Sequence, residues 1–244
     1  MKRYHLLDVI RGVTLLSMII YHATWDLVYM YGVKWSWYRG MGAYIWQQSI
    51  CWTFILLSGF CFSLGRKPLR RGLMVFGGGL LVSAVTLIFM PGNRVLFGVL
   101  TMIGSSMLLM VPLDKIFRKI SPEIGAFGSF LCFLLTRNIN EGMLGFEKFR
   151  LLELPERWYC NMFTTYLGFP GPGFFSTDYF SLIPWFFLFA TGYFIYGIFK
   201  KKKWLNSTIL SWNCRPLSFV GRNTLFIYLI HQPVIYGILE LCNM

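Results

Sequence analysis

A histidine and an aspartate four residues apart, His22 and Asp26, are the pair in this chain best suited to moving a proton. Imidazole titrates near neutrality, and a carboxylate beside it raises its basicity and fixes its tautomer, which is what a general base needs. The two lie in "LLDVIRGVTLLSMIIYHATWDL", residues 6–27, together with Asp8 and Arg11. At about 100° per residue on a helix the four fall on one stripe. Eleven residues, about three turns, separate Arg11 from His22, and eighteen, about five turns, separate Asp8 from Asp26. The stretch is otherwise uncharged and mostly apolar, and a charge deep in a bilayer costs about 2.5 kcal/mol or more, so each ionisable group here is a functional candidate. His22, at i and i+4 with Asp26, is within reach of a carboxylate–imidazole hydrogen bond. Structural readings stand beside these: Asp8 and Arg11 serve equally as an i, i+3 ion pair, and a His–Asp pair can simply join helices.

A second histidine lies in "GRNTLFIYLIHQPVIYGIL", residues 221–239, which also carries Arg222, Asn223, Tyr228, His231 and Gln232. Pro233 frees a backbone carbonyl in the preceding turn and favours a kink. His231 suits either a site or the packing of a helix bundle. The six cysteines are scattered through apolar runs without a CxxC or a His-spaced pair, so neither a metal site nor a disulfide framework is expected.

The elements that hold these residues are membrane helices. The chain is 56% hydrophobic and only 14% charged, with a mean hydropathy of +0.56, against roughly 25% charged residues in a soluble domain. Long apolar runs, rather than short alternating ones, select helices over a barrel. The fold expected is all-α, a polytopic transmembrane bundle of about seven spans near 7–29, 43–64, 72–90, 95–113, 123–137, 180–199 and 218–240. Residues 1–244 are expected to form one domain, broken by one long extracytoplasmic loop at about 138–179, whose "GFPGPGF" must be irregular backbone.

Of the 23 Lys and Arg residues, 14 gather on one side: Lys2, Arg3, Arg66, Lys67, Arg70, Arg71, Lys115, Arg118, Lys119, the lysines at 200–203 and Arg215. Basic residues stay cytoplasmic, so the N-terminus is expected inside and the long loop outside. The net charge of +13 is then mostly a topology signal, and nucleic acid is not an expected partner.

Four segments, "LDVIRG", "LFGVLTMIGSSMLL", "GFPGPGFFSTDYFSLIPWFFLFATGY" and "GRNTLFIYLIHQPVIYGIL", together resemble a bacterial family of membrane proteins related to the catalytic domain of heparan-alpha-glucosaminide N-acetyltransferase. The resemblance runs along most of the chain. It implies an integral protein of the bacterial plasma membrane that moves an acetyl group from cytoplasmic acetyl-CoA to an amine or hydroxyl of a glycan on the far side. It also implies a homodimer.

On that expectation His22 and Asp26 are the catalytic pair. Arg11, Arg66, Arg70, Arg71, Arg222 and Asn223 face CoA, since guanidinium binds phosphate in a bidentate manner, although positive-inside loops need no ligand. Asp178, Tyr179, Trp185, His231 and Gln232 face the acceptor. The "FGGGL" at 76–80 reads as close helix packing rather than a phosphate loop. Two other classes fit the same stripe: a small transporter or flippase using it as a proton or solute path, and a non-catalytic assembly subunit.

Overall fold

A computed structural model describes residues 3–242, so Lys2 lies outside the described residues. Among these, nine α-helices and one two-stranded hairpin account for the regular structure: α1 (His5–Tyr29), α2 (Met41–Phe62), α3 (Pro68–Phe89), α4 (Val99–Phe117), α5 (Pro122–Thr136), β1 (Met143–Phe146), β2 (Phe149–Glu153), α6 (Met162–Leu167), α7 (Leu182–Lys201), α8 (Arg215–Arg222) and α9 (Thr224–Leu241). Six of the helices, α1, α2, α3, α4, α7 and α9, are long and apolar enough to cross a membrane. The protein is a mostly α, polytopic bundle.

The fifth expected span is α5, whose 15 residues fit the short run expected at 123–137 and measure about 22 Å at 1.5 Å per residue, against a hydrocarbon core of about 30 Å. The last, expected as one run over 218–240, is two helices that meet at Asn223. Asn223 donates its side-chain Nδ2 to the Phe219 carbonyl at 2.9 Å, while its backbone N–H is shared between Phe219 and Val220. A side-chain amide that competes with the backbone in this way ends the helical ladder.

The chain divides into two units. The first comprises the residues up to Leu57 and those from Lys203 onward, and it pairs the first helix with the last two. Gly12 of α1 and Gly221 of α8 make that pairing close. A Cβ on Gly12 would lie 2.1 Å from the Leu217 carbonyl oxygen, and one on Gly221 would lie 1.8 Å from the Asp8 carbonyl oxygen. Two hydrogens thus stand where two side chains would force the helices apart. Above the crossing, Leu15, Met18 and Ile50 form a core with Trp46, Phe54 and Tyr228 against it. The α1–α2 connection is tied back to α1: Tyr38 donates its hydroxyl to the Tyr21 carbonyl at 2.9 Å, and Trp46 donates Nε1 to Ser17 Oγ at 2.8 Å.

The second unit, Ser58–Lys202, contains α3 packed on α4 and α5 packed on α7. Of the three glycines in "FGGGL", Gly78 and Gly79 are buried. A Cβ on Gly79 would lie 2.5 Å from the Thr101 backbone nitrogen. The run therefore serves close helix packing, as its place within an apolar span predicts. Between α5 and α7 the long connection holds the hairpin, paired antiparallel with an irregularity at Leu144–Gly145, the short α6, and irregular backbone over 168–181.

Candidate active site

Asp26 anchors the site. It sits in the last turn of α1, is fully buried at 0% exposure, and among the described residues its carboxylate accepts hydrogen bonds from one group, the Gln232 amide. Nε2 of Gln232 lies 2.9 Å from Oδ1 and 2.8 Å from Oδ2. Burial of a carboxylate is tolerable only when its oxygens are hydrogen-bonded, and Gln232 supplies those bonds from α9.

One residue before Gln232, His231 is also buried, at 8% exposure. Its Nδ1–H donates to the Tyr228 carbonyl at 2.5 Å. The His22 ring lies across from it, with ring centroids 5.1 Å apart and planes inclined at 55°. His22, Asp26, His231 and Gln232 thus converge from the first and last membrane helices, although about two hundred residues separate the two pairs in sequence.

Two of their polar atoms have no hydrogen-bond partner among the described residues: Nε2 of His231 and Oε1 of Gln232. Both are acceptors, because Nδ1 carries the histidine proton and Nε2 of Gln232 faces the carboxylate. A buried acceptor without a donor costs about 1–3 kcal/mol, so both atoms are able to accept from a bound group.

The expected hydrogen bond between His22 and Asp26 is absent. Asp26 is taken by Gln232, and His22 makes no side-chain hydrogen bond among the described residues; it packs on Tyr21 and His231 instead. Adjacent turns of one helix allow that bond, but the partner across the helix interface competes better for the carboxylate.

The remaining site residues fall in three groups. Arg11 pairs with Asp8 at 3.6 Å, and Arg3 pairs with the same carboxylate at 3.0 Å, so the i, i+3 ion pair is formed. On α8, Arg222 donates Nε to the Ser218 carbonyl at 3.1 Å and is otherwise exposed, like its neighbour Asn223. Both flank the Gly12–Gly221 crossing.

In the second unit, Arg66 and Arg70 are exposed and Arg71 is half-buried at the start of α3. Near them lies a cleft of about 180 Å³ lined in part by Ser63, Gly65, Asp114 and Arg118. Within it Asp114 is already engaged, by Arg118 at 2.6 Å and by the Tyr193 hydroxyl at 2.7 Å.

Asp178, Tyr179 and Trp185, also in the second unit, are held within the protein. The Tyr179 hydroxyl donates to the Thr165 carbonyl. Trp185 is 3% exposed and lies under the Arg137 guanidinium, 4.9 Å from ring centroid to Cζ. Asp178 accepts from the Val99 backbone N–H at 3.3 Å, at the start of α4. Burial pushes its carboxyl up to about 6, and that hydrogen bond offsets part of the effect.

Nothing in the local sequence foretold the partnership of Asp26 with Gln232, or the Tyr228 carbonyl that sets the His231 tautomer. The adjacency "HQP" was the one visible hint, since it puts a donor beside a histidine in an apolar helix.

The family model "Heparan-alpha-glucosaminide N-acetyltransferase, catalytic" matches residues 3–233. No curated protein and no solved structure gives a match. The match takes in nearly the whole chain and all four residues of the cluster. The chain belongs to this family, and with it is a membrane acetyltransferase.

Proposed function

We propose, from that membership, that the protein transfers an acetyl group from cytoplasmic acetyl-CoA to an amine or hydroxyl of an extracytoplasmic glycan, with the His22–Asp26–His231–Gln232 cluster as its proton-handling centre. The observation that carries the reading is the cluster itself: two histidines, a buried carboxylate and two unpartnered acceptor atoms inside a membrane bundle. Groups of this kind are expensive in lipid and mark a path for a substrate or a proton.

In this reading the acceptor's N–H or O–H loses its proton to a histidine of the cluster as its nitrogen or oxygen attacks the thioester carbonyl. The carbon–sulfur bond breaks, and CoA leaves as the thiol once the proton is returned to sulfur. Asp26 holds Gln232, and through it the turn of α9 that carries His231. Arg11, eleven residues or about 16 Å back along α1 from His22, and Arg222, nine residues before His231 at the end of α8, supply positive charge for CoA phosphates. Arg66, Arg70 and Arg71 form a separate basic group at the start of α3 in the second unit. The N-terminus is cytoplasmic and the segment over 138–181 outside, an arrangement in which α5 crosses along with the six longer helices. The plasma membrane of a bacterium is the setting this arrangement suits.

The test uses the protein in nanodiscs with radiolabelled acetyl-CoA. Glucosamine oligosaccharides serve as the amine probe and their N-acetylated forms as the hydroxyl probe. Label should pass to one of them, and replacing both histidines of the cluster, His22→Ala with His231→Gln, should remove at least about 100-fold of the rate while stabilisation of the fold by CoA persists. If neither CoA nor acetyl-CoA stabilises the protein and no label moves, the transferase reading fails. Flux of protons or solute through sealed vesicles would then identify a transporter. Orientation is checked separately: Cys160, exposed beside α6, should react with a membrane-impermeant maleimide added outside intact cells.

A further inference from the structure

We infer that His231, rather than His22, is the proton acceptor in the transfer step. The inference rests on the transferase reading above and turns on how each ring is held. A general base needs one ring nitrogen fixed by a hydrogen bond so that the other presents its lone pair in a set direction. His231 meets that condition. Its Nδ1–H is committed to the Tyr228 carbonyl at 2.5 Å, so the neutral ring carries its lone pair on Nε2. That atom is buried and has no donor among the described residues.

His22 does not meet it. Neither of its nitrogens is hydrogen-bonded among the described residues, and its contacts are ring faces and edges: His231 at 5.1 Å and Tyr21 at 6.0 Å between centroids. Such contacts hold a ring in place without choosing its tautomer.

The next residue completes the device. Gln232 is chained to Asp26 through both carboxylate oxygens, which fixes the helical turn of His231 against α1. Its Oε1 is the second unpartnered acceptor. An acceptor substrate carrying two donor hydrogens, on one nitrogen or on neighbouring groups, would give one to Nε2 of His231 and one to Oε1 of Gln232. The first is the proton that moves: the N–H or O–H bond breaks, Nε2–H forms, and the freed electron pair makes the bond to the acetyl carbon as the thiolate departs. The imidazolium then returns the proton to sulfur. The His22 ring lines the same space and orients the acceptor.

The chain has three histidines, so its ring-nitrogen spectrum is small enough to assign by substitution. With histidine-specific 15N labelling of the whole protein in nanodiscs, the signals lost in His231→Gln should be those of an Nδ1–H, Nε2-unprotonated ring. An Nε2–H ring there would overturn the inference.

Kinetics supply the second arm, with radiolabelled acetyl-CoA and the same glucosamine probe. His231→Gln should lower kcat by ~100- to 10 000-fold, the usual contribution of a general base. His22→Gln should mainly raise KM. The reverse pattern, or a His231→Gln enzyme within about tenfold of the wild-type kcat, overturns His231 as the base and leaves the transferase reading intact. A wild-type protein that moves no label overturns both. Thermal unfolding of each variant, and His231→Asn as a second substitution, separates a lost base from a lost fold.

Discussion

Two polar regions of this molecule look alike in sequence and behave in opposite ways. The connection from 138 to 181 is rich in Asn, Ser, Thr, Tyr and charged residues, yet its buried polar groups close on one another. Asn138 brackets Glu147, donating Nδ2 to its carbonyl at 2.7 Å and accepting from its N–H at 2.9 Å. The Ser181 hydroxyl donates to Asn140 Oδ1 at 2.8 Å, Tyr159 donates to the Ile139 carbonyl at 2.6 Å, and Asn161 caps α6 from both directions. In the cluster on α1 and α9, by contrast, four polar side chains in an apolar setting leave His231 Nε2 and Gln232 Oε1 open. Closed networks fix a backbone, whereas open ones receive something. On that criterion the connection is scaffold and the cluster is the candidate site, so variants of the cluster should change rate and variants of the connection should change stability.

The strongest test of that contrast is Asp26→Leu. It strips Gln232 of both acceptors and frees the turn that carries His231. Acetyl transfer should fall by ~100-fold, the scale of a misplacement of about 1 Å at a reacting centre, as read from initial rates with labelled acetyl-CoA. A rate within a few-fold of wild type would put the chemistry elsewhere. Gly221→Ala comes next. Its Cβ would lie 1.8 Å from the Asp8 carbonyl oxygen, so α1 and α8 must separate. A loss of about 1–3 kcal/mol, typical of overpacking, is expected from unfolding in detergent, with activity falling in step.

Tyr179→Phe probes the other region. It deletes one hydrogen bond to the Thr165 carbonyl and should cost about 1 kcal/mol with the rate changed less than about twofold. A large rate loss at unchanged stability would break the contrast from the scaffold side.

Asp178→Asn should leave the rate unchanged and be visible in its pH dependence. Burial raises the Asp178 carboxyl from its ordinary 3.8 to about 6, so the folded chain holds that proton more tightly than the unfolded one. The stabilisation is complete below about pH 4 and is lost as pH rises through about 6. The Tm of wild type should therefore fall relative to Asp178→Asn between pH 5 and pH 7, and parallel profiles would show that the carboxyl is solvated.

How far the sequence led differs between levels. The helices, the close-packed glycine run and the irregular "GFPGPGF" were legible because each follows from local rules: apolar length, small residues inside a span, and proline with glycine. The stripe on α1 was legible for the same reason, since helical period alone places His22 and Asp26 within one turn of each other. What the stripe touches was not legible. Asp26 meets Gln232 across 206 positions, and no local pattern encodes that distance. It was this partner that displaced the His22–Asp26 hydrogen bond. The break at Asn223 was missed for a subtler reason: an apolar run reads as continuous unless one side-chain amide is recognised as a competitor for the backbone. Asp178, Tyr179 and Trp185 carry the chemistry of sugar recognition by type, but in the fold their polar and aromatic groups are already occupied.

The pairing of α1 with α8 and α9 also sets the order of events in biogenesis. The first helix enters the membrane long before its partners exist. At roughly 5–20 residues per second, the 206 residues between Asp26 and Gln232 take roughly 10–40 s to synthesise. Through that interval Asp26 sits in or near lipid without the amide that satisfies it, and Gly12 faces lipid without Gly221. The nascent chain is therefore an acetyltransferase in waiting, held by whatever shields a lone intramembrane carboxylate, and a ribosome that stalls before α9 releases a protein with most of its spans and no site. Activity itself would then report that translation has passed α9.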